Sequence, residues 1–203
     1  PAEELIPEYA KYGIKAYLQQ NACSSRYKKL PPQMKYKNDL VLVGNNYSFR
    51  HVDPESKKSI FYTFRVDGIY QILAPLVDEE KNVKVYGKWW TDFDRAYILP
   101  TAYYGGQLPK KEIPYVYSSA KIALGIQQVA TSATYISTRT YEALGCGAFH
   151  ITQYSQGVEN YFKKGVHLEW SGSKEETLDL VNYYLTHDDE RKRIGLNGKR
   201  EVD

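Results

Sequence analysis

The sequence predicts an α/β fold, a Rossmann-like parallel sheet flanked by helices, and three features carry that prediction. Leu40-Val41-Leu42-Val43 is a short, wholly apolar run closed by Gly44, the pattern of a strand buried on both faces of a parallel sheet. Comparable runs recur along the chain, the next of them, Val83 to Tyr86, also closed by a glycine. Segments with the apolar density of helices lie between them, and that alternation builds right-handed βαβ units.

Residues 1–36 stand apart from this pattern. A candidate strand at 14–18 is followed by a polar, basic stretch containing Pro31-Pro32, which reads as a linker. Its cluster Arg26, Lys28, Lys29, Lys35 and Lys37 is expected to be a solvated face. The domain proper is assigned to 37–203. After the first strand, residues 59–76 predict a helix interrupted near Gly68 and ended around Pro75. Strand 83–86 leads into a loop rich in Trp, Tyr and Gly that runs to about Gln107. A short helix at 111–119, a strand at 122–126 and a helix at 140–144 follow. Gly145 and Gly147 end that helix, so Gly145-Cys146-Gly147 reads as a helix C-cap and tight turn. Residues 148–152 form a strand, 158–162 a helix and 166–170 a strand. Ser173 with Glu176 makes a capping box, and Leu178, Val181 and Leu185 give the helix it opens a core face. Asp188 starts a charged terminal helix.

Composition narrows the classes of function. At 203 residues, with 42% hydrophobic and 25% charged residues, the chain can bury a core of its own. No apolar run approaches the roughly 20 residues that span a bilayer, and no signal peptide opens the sequence. A net charge of +3, spread among acidic residues, argues against nucleic acid as a partner. Cys23 and Cys146 lie far apart without a CxxC spacing, so neither a disulfide framework nor a zinc site is expected, and a reducing compartment is the default. The chain begins at Pro1 and stops at Asp203, which reads as a piece of a longer protein.

Ligands of such sheets bind beyond the carboxyl ends of the strands, here the loops after Val43, Tyr86, Ile126 and Thr152. Neither a Walker loop nor a G-x-G-x-x-G after the first strand is present, which argues against P-loop and dinucleotide cofactors. His51, His150, His167 and His187 lack metal-ligand spacing, and each is expected to be structural or exposed. Gly44-Asn45-Asn46 marks a strand end where a ligand can approach the backbone, and Arg50 just downstream offers a phosphate fork. Ser137-Thr138-Arg139-Thr140-Tyr141-Glu142-Ala143-Leu144 carries more information. Its hydroxyls precede a helix whose first N–H groups would make an anion site, Arg139 adds a cation, and Glu142 can accept from a vicinal diol such as ribose. From the residues alone, an N-cap followed by an Arg–Glu surface pair explains the same segment equally well.

The block from Arg139 to Phe149, Arg-Thr-Tyr-Glu-Ala-Leu-Gly-Cys-Gly-Ala-Phe, resembles the signature of CgeB-type spore-maturation proteins, which group with the group-1-like glycosyltransferases of the GT-B fold. Supporting features follow in the same order: Asp39 to Gly44 with Arg50 behind it, Val85 to Trp90, Gly106-Gln107-Leu108-Pro109 with Ile113 to Tyr117, and Glu175 to Gly198. The resemblance covers about Tyr9 to Gly198 and implies the C-terminal, donor-binding domain of a GT-B enzyme. Residues 1–36 would then be the end of the N-terminal domain and the interdomain linker, and the terminal crossover helix would be truncated. It further implies that Glu142 holds the donor ribose, and that Arg50 and Arg139, with Ser137, Thr138 and Thr140 at the helix start, stabilise the diphosphate. Gly44 and Asn45 would line the donor site, and Gln107 and Leu108 would read the base. The implied substrate is a nucleotide sugar, a UDP-sugar, with an unknown acceptor, no cofactor and no metal, in the cytoplasm or on the spore. The sequence departs from related retaining enzymes at Thr134, which stands where they carry a first glutamate. That departure supports an alternative, a non-catalytic binding or spore-surface protein of the same fold. A nucleotide-sugar epimerase of similar shape is a third reading.

Overall fold

The computed structural model of the chain describes residues 3–49, 59–129 and 132–203. Five parallel strands form one sheet: β1 (Leu40–Val43), β2 (Val83–Tyr86), β3 (Ile122–Gly125), β4 (His150–Gln153) and β5 (Glu169–Ser171), in the order β2-β1-β3-β4-β5. All residues of β1 are buried, as its wholly apolar sequence requires. Their side chains alternate between two layers. Leu40 and Leu42 join Val83, Val85, Ile122, Leu124 and Ile151 on one face of the sheet, while Val41 and Val43 join Ala123 and Tyr86 on the other. Burying one such side chain is worth about 1.5–3 kcal/mol, and the central strands carry that gain on both faces.

Helices cover each face. On the first lie the residues from α2 (Ser59–Gly68) through a π-helical turn (Ile69–Leu73) to α3 (Ala74–Asp78), with α7 (Lys174–Thr186) beside them. On the second lie α4 (Ile113–Ser119) and α5 (Thr138–Gly145). For this numbering, α1 is the turn Ile6–Ala10, α6 is Gln156–Tyr161 and α8 is Asp188–Val202.

Two predictions need correcting. Pro75 does not end the helix; it sits inside it, directly after the π-helical turn in which the Ala74 N–H reaches back five residues to the Ile69 carbonyl. A π turn is wider than an α turn, so the ring and the missing donor of the proline fall where the bonding register has already shifted, and the helix runs on to Asp78. Residues 14–18 are not a strand. Among the described residues no sheet partner lies beside them, and Ile14 and Tyr17 are exposed instead of packed into a core. Elsewhere the differences are at element ends: α5 opens at Thr138, β3 stops at Gly125, and β5 begins only at Glu169.

Local capping behaves as the residue types dictate. Ser173 accepts from the Glu176 N–H at 3.1 Å, while Glu176 itself takes the Gly172 N–H at 2.7 Å, one residue before the cap. At the other end of α5 the glycine turn is a Schellman motif: Ala148 N–H donates to the Ala143 carbonyl at 3.1 Å and Gly147 N–H to the Leu144 carbonyl at 2.7 Å. Gly147 adopts φ +66°, which a side chain would disfavour. Residues 20–36 are stitched along the second layer. Tyr27 and Tyr36 are buried in it, and the N–H groups of Leu30 and Gln33 donate to the Ser118 and Ser119 hydroxyls at 2.9 and 2.8 Å. Arg26, Lys28, Lys29, Lys35 and Lys37 are all exposed.

Candidate functional site

From β1 the chain crosses to β2 on one side, and later from β3 to β4 on the other, so the two adjacent strands β1 and β3 bracket the point where the sheet reverses direction. Connections diverge there and leave a crevice at the carboxyl ends of the strands. A cavity of about 210 Å³ occupies it, floored by Leu42, Val43 and Gly44 of the β1 end and Leu124, Gly125 and Ile126 of the β3 end. Arg65 and Ile69 from the first helical layer also line it, as do Ser137, Thr138 and Arg139 at the start of α5. A smaller cavity of about 60 Å³ adjoins it, lined by Val43, Gly44, Asn45, Tyr86, Gly87, Leu108, Ile113 and Arg139. Arg139, Gly44 and Asn45 face both.

The start of α5 is built by its own sequence. Ser137 caps the helix, accepting the Arg139 N–H at 3.4 Å, and its own N–H is held by the Gln127 side-chain carbonyl at 2.9 Å. Thr138 is exposed at the cavity wall. Thr140 turns inward: its hydroxyl accepts from the buried Gln127 amide at 3.1 Å, so it supports the helix start from behind and does not line the cavity. Glu142 likewise lies behind Arg139, bonded to its guanidinium, and borders neither cavity. Over that carboxylate lies Tyr27, whose hydroxyl is pushed up to about 12 by burial and then by its hydrogen bond to Glu142. Tyr117, wholly buried nearby, is shifted upward for the same leading reason.

Gly44, Asn45 and Asn46 are fastened to the loop after β2. The Gly44 N–H donates to the Tyr86 carbonyl at 2.9 Å, and its carbonyl accepts from the Trp90 indole at 2.7 Å. Asn45 accepts the Lys88 N–H at 3.0 Å, and buried Asn46 ties down Ser48 and the Tyr97 carbonyl. Gly87, at φ +144°, permits this contact, because a Cβ there would stand 1.9 Å from the Gly44 carbonyl oxygen. A Cβ on Gly44 would meet nothing within 4 Å. The strand-end glycine thus keeps the cavity floor open but spends its backbone groups on the protein.

Leu108 reaches the smaller cavity, whereas Gln107 is exposed and borders neither. Arg50 and His51 lie outside the described residues. Thr134 is buried, and its hydroxyl accepts the Glu3 N–H at 3.0 Å while its carbonyl accepts from Gln20 at 2.9 Å. Its place is therefore under the amino-terminal segment. The sequence reading missed Arg65, Tyr47, Tyr135 and Gln128, all of which line the larger cavity. Tyr135 and Gln128 fall in the loop after β3, one of the loops picked out as functional, whereas Arg65 sits on a helix face with no local signal.

None of the three described histidines is placed as a catalyst. His150 is buried, with its Nδ1 3.0 Å from the Ala123 carbonyl and its pKa lowered to about 4 by burial. His167 stands 3.6 Å from Glu201, and His187 stacks on Tyr183. Burial raises the Cys146 thiol to about 12, which leaves it an inert core group. Among the described residues no group of three or more His, Cys, Asp or Glu is placed to hold a metal ion, and no helix is long and apolar enough to cross a membrane.

A parallel Rossmann-like sheet with its crevice at the β1–β3 reversal is the architecture of the C-terminal, donor-binding domain of GT-B proteins. The chain belongs to the glycosyl transferase-like family, whose family model matches residues 65–203. No curated protein matches it. Among solved structures it is similar to sucrose-phosphate synthase from Thermosynechococcus elongatus (13% identity, TM-score 0.61, covering 99% of this chain and 52% of that one). Anabaena HepE in complex with UDP and glucose is similar at 13% identity and TM-score 0.60, covering 100% of this chain and 58% of that one. T4 phage β-glucosyltransferase matches at 15% identity and TM-score 0.56, covering 90% and 48%. The chain spans about half the length of these structures, and at such identities the likeness is one of fold.

Proposed function

We propose that the chain is the donor-binding half of a two-domain glycosyltransferase, transferring a sugar from a UDP-sugar to an acceptor held by the other half. Residues 1–36 would be the end of that other domain and the linker. The block from Arg139 to Phe149 resembles that of CgeB-type proteins, which supports a cytoplasmic or spore-associated place for the protein. The observation that carries the reading is Arg139, a cation at the start of α5 that walls both cavities in the crevice of the sheet. HepE, which shares the fold, binds UDP and glucose, and that favours UDP as the nucleotide here.

In this reading the diphosphate lies against Arg139, Arg50, the Thr138 N–H and the hydroxyls of Ser137 and Thr138. The base enters the smaller cavity against Leu108 and Asn45 with Gly44 beneath it, and Gln107 reaches it from the exposed turn just before Leu108. Glu142 takes the ribose hydroxyls beside Arg139. When the bond between the anomeric carbon and the diphosphate oxygen breaks, negative charge builds on the leaving group. Fixed cations and helix N–H dipoles stabilise that charge in the transition state without a metal. The acceptor, and a general base to take its proton, would come from the other domain.

Titration calorimetry with UDP, GDP and dTDP tests this. UDP is expected to bind the chain alone, and sugar turnover is expected only when the other half is present. Absence of binding by all three nucleotides, in a protein with both halves, would overturn the reading. It would favour a non-catalytic protein of the same fold, for which Thr134 speaks: a buried hydroxyl engaged with Glu3 stands where retaining enzymes carry a carboxylate.

A further inference from the structure

Two buried glutamines connect the helices that bear the arginines of the cleft. Gln153, at the end of β4, donates its amide to the Phe64 carbonyl of α2 at 3.2 Å, next to Arg65. Its side-chain oxygen accepts the backbone N–H of Gln127 at 3.2 Å. The Gln127 side chain then accepts the Ser137 N–H at 2.9 Å and donates to the hydroxyls of Thr140 at 3.1 Å and Thr152 at 2.8 Å. Ser137 and Thr140 belong to the first turn of α5, next to Arg139. Hydrogen bonds joined through Gln127 itself therefore connect the backbone beside Arg65 to the backbone beside Arg139.

Both glutamines are fully buried, and neither borders the larger cavity. The helix approach they serve is tight. A Cβ on Gly68 would stand 2.3 Å from the Gln153 side-chain oxygen, so α2 is seated directly on that amide. A buried amide with its donors and acceptors matched resists displacement, because moving either helix strands a polar group away from water.

We propose that Gln127 and Gln153 are positioning residues that hold Arg65 and Arg139 in place around the one cavity both line, where the two together take the diphosphate. The proposal rests on the donor reading above and adds Arg65 as the second wall of the phosphate site. Neither glutamine touches the nucleotide.

The test compares UDP with uridine, since the two arginines act on phosphate and not on the nucleoside. Gln127→Met, Gln153→Met and the double variant keep side-chain volume and remove the amides. Each single variant is expected to weaken UDP about tenfold, equivalent to about 1.4 kcal/mol, and to leave uridine binding unchanged. Because the links are in series, the double variant should lose no more than the weaker single one. Gln153→Leu serves if the Met variant does not fold, as it also removes the amide and adds no charge beside the phosphate site. Folded variants that bind UDP like wild type, lose UDP and uridine equally, or show additive losses would overturn the relay alone. A wild-type chain that binds neither UDP nor uridine would overturn the donor reading and this proposal with it.

Discussion

Arg139 and Glu142 stand one turn apart on α5 and are ion-paired, with the carboxylate turned back along the helix and covered by Tyr27. The Arg139 side chain is 37% exposed and the Glu142 side chain only 14%. Glu142 thus fixes the direction of the cation from behind, and a ribose reaching it would have to pass close to Arg139. The pairing makes the two residues one functional unit.

Glu142→Ala is therefore expected to weaken UDP by more than about tenfold, through loss of the ribose contact and of the arginine's anchor together. Helix α5 should survive, because its Ser137 cap and Schellman end do not involve the carboxylate side chain. Calorimetry reads the affinity and circular dichroism the helix. Undiminished UDP binding would show that the site lies elsewhere.

Gly44 and Gly87 touch, yet their alanine variants should behave oppositely. Gly87→Ala places a Cβ 1.9 Å from the Gly44 carbonyl oxygen at φ +144°, so a loss of stability on the order of 3 kcal/mol is expected in denaturant unfolding. Gly44→Ala meets no atom within 4 Å and should leave stability within about 0.5 kcal/mol of wild type. Its methyl group would instead occupy the floor of both cavities, and UDP affinity should fall. A Gly44→Ala protein with both properties unchanged would remove Gly44 from the site.

His150 should make the fold sensitive to mild acid. Burial lowers its pKa from 6.5 to about 4, so between those values the unfolded chain binds a proton that the folded chain does not. The stabilising contribution is complete above about pH 6.5 and is lost as pH falls toward 4, amounting to on the order of 3 kcal/mol. Glu169, raised chiefly by burial, acts in the opposite sense: its contribution is largest at low pH and declines as pH rises through its folded value. The difference between wild type and His150→Asn isolates the histidine. Unfolding midpoints measured from pH 7 to pH 4.5 should converge as pH falls, and parallel profiles would show that His150 does not titrate in this window.

Much of the architecture was written locally. The apolar runs at 40–43 and 83–86 became the strands they predicted, because burial on both faces leaves a continuous apolar segment no other stable use. Ser173 and Gly147 acted as helix signals because capping depends on side chains within a few residues of the backbone groups they satisfy. The place of Arg139 at the start of α5 was legible for the same reason, since a helix start is a local property. Pro75 misled because the π-helical turn before it is imposed by packing on the sheet, which the proline does not encode. The run at 14–18 misled because apolar residues make a strand only where a neighbouring strand offers its backbone.

The sequence by itself determined the α/β class, the strand order along the chain, and the helix start that brings Arg139 to the cleft. Each follows from periodicity, capping or turn chemistry within a few residues. Tertiary structure alone decided that Arg65 and Arg139 line one cavity, that Thr140 and Glu142 turn away from the cavities, and that Gln127 and Gln153 join α2 to α5. These relations bring together residues distant in sequence, and their geometry depends on how helices seat on a finished sheet.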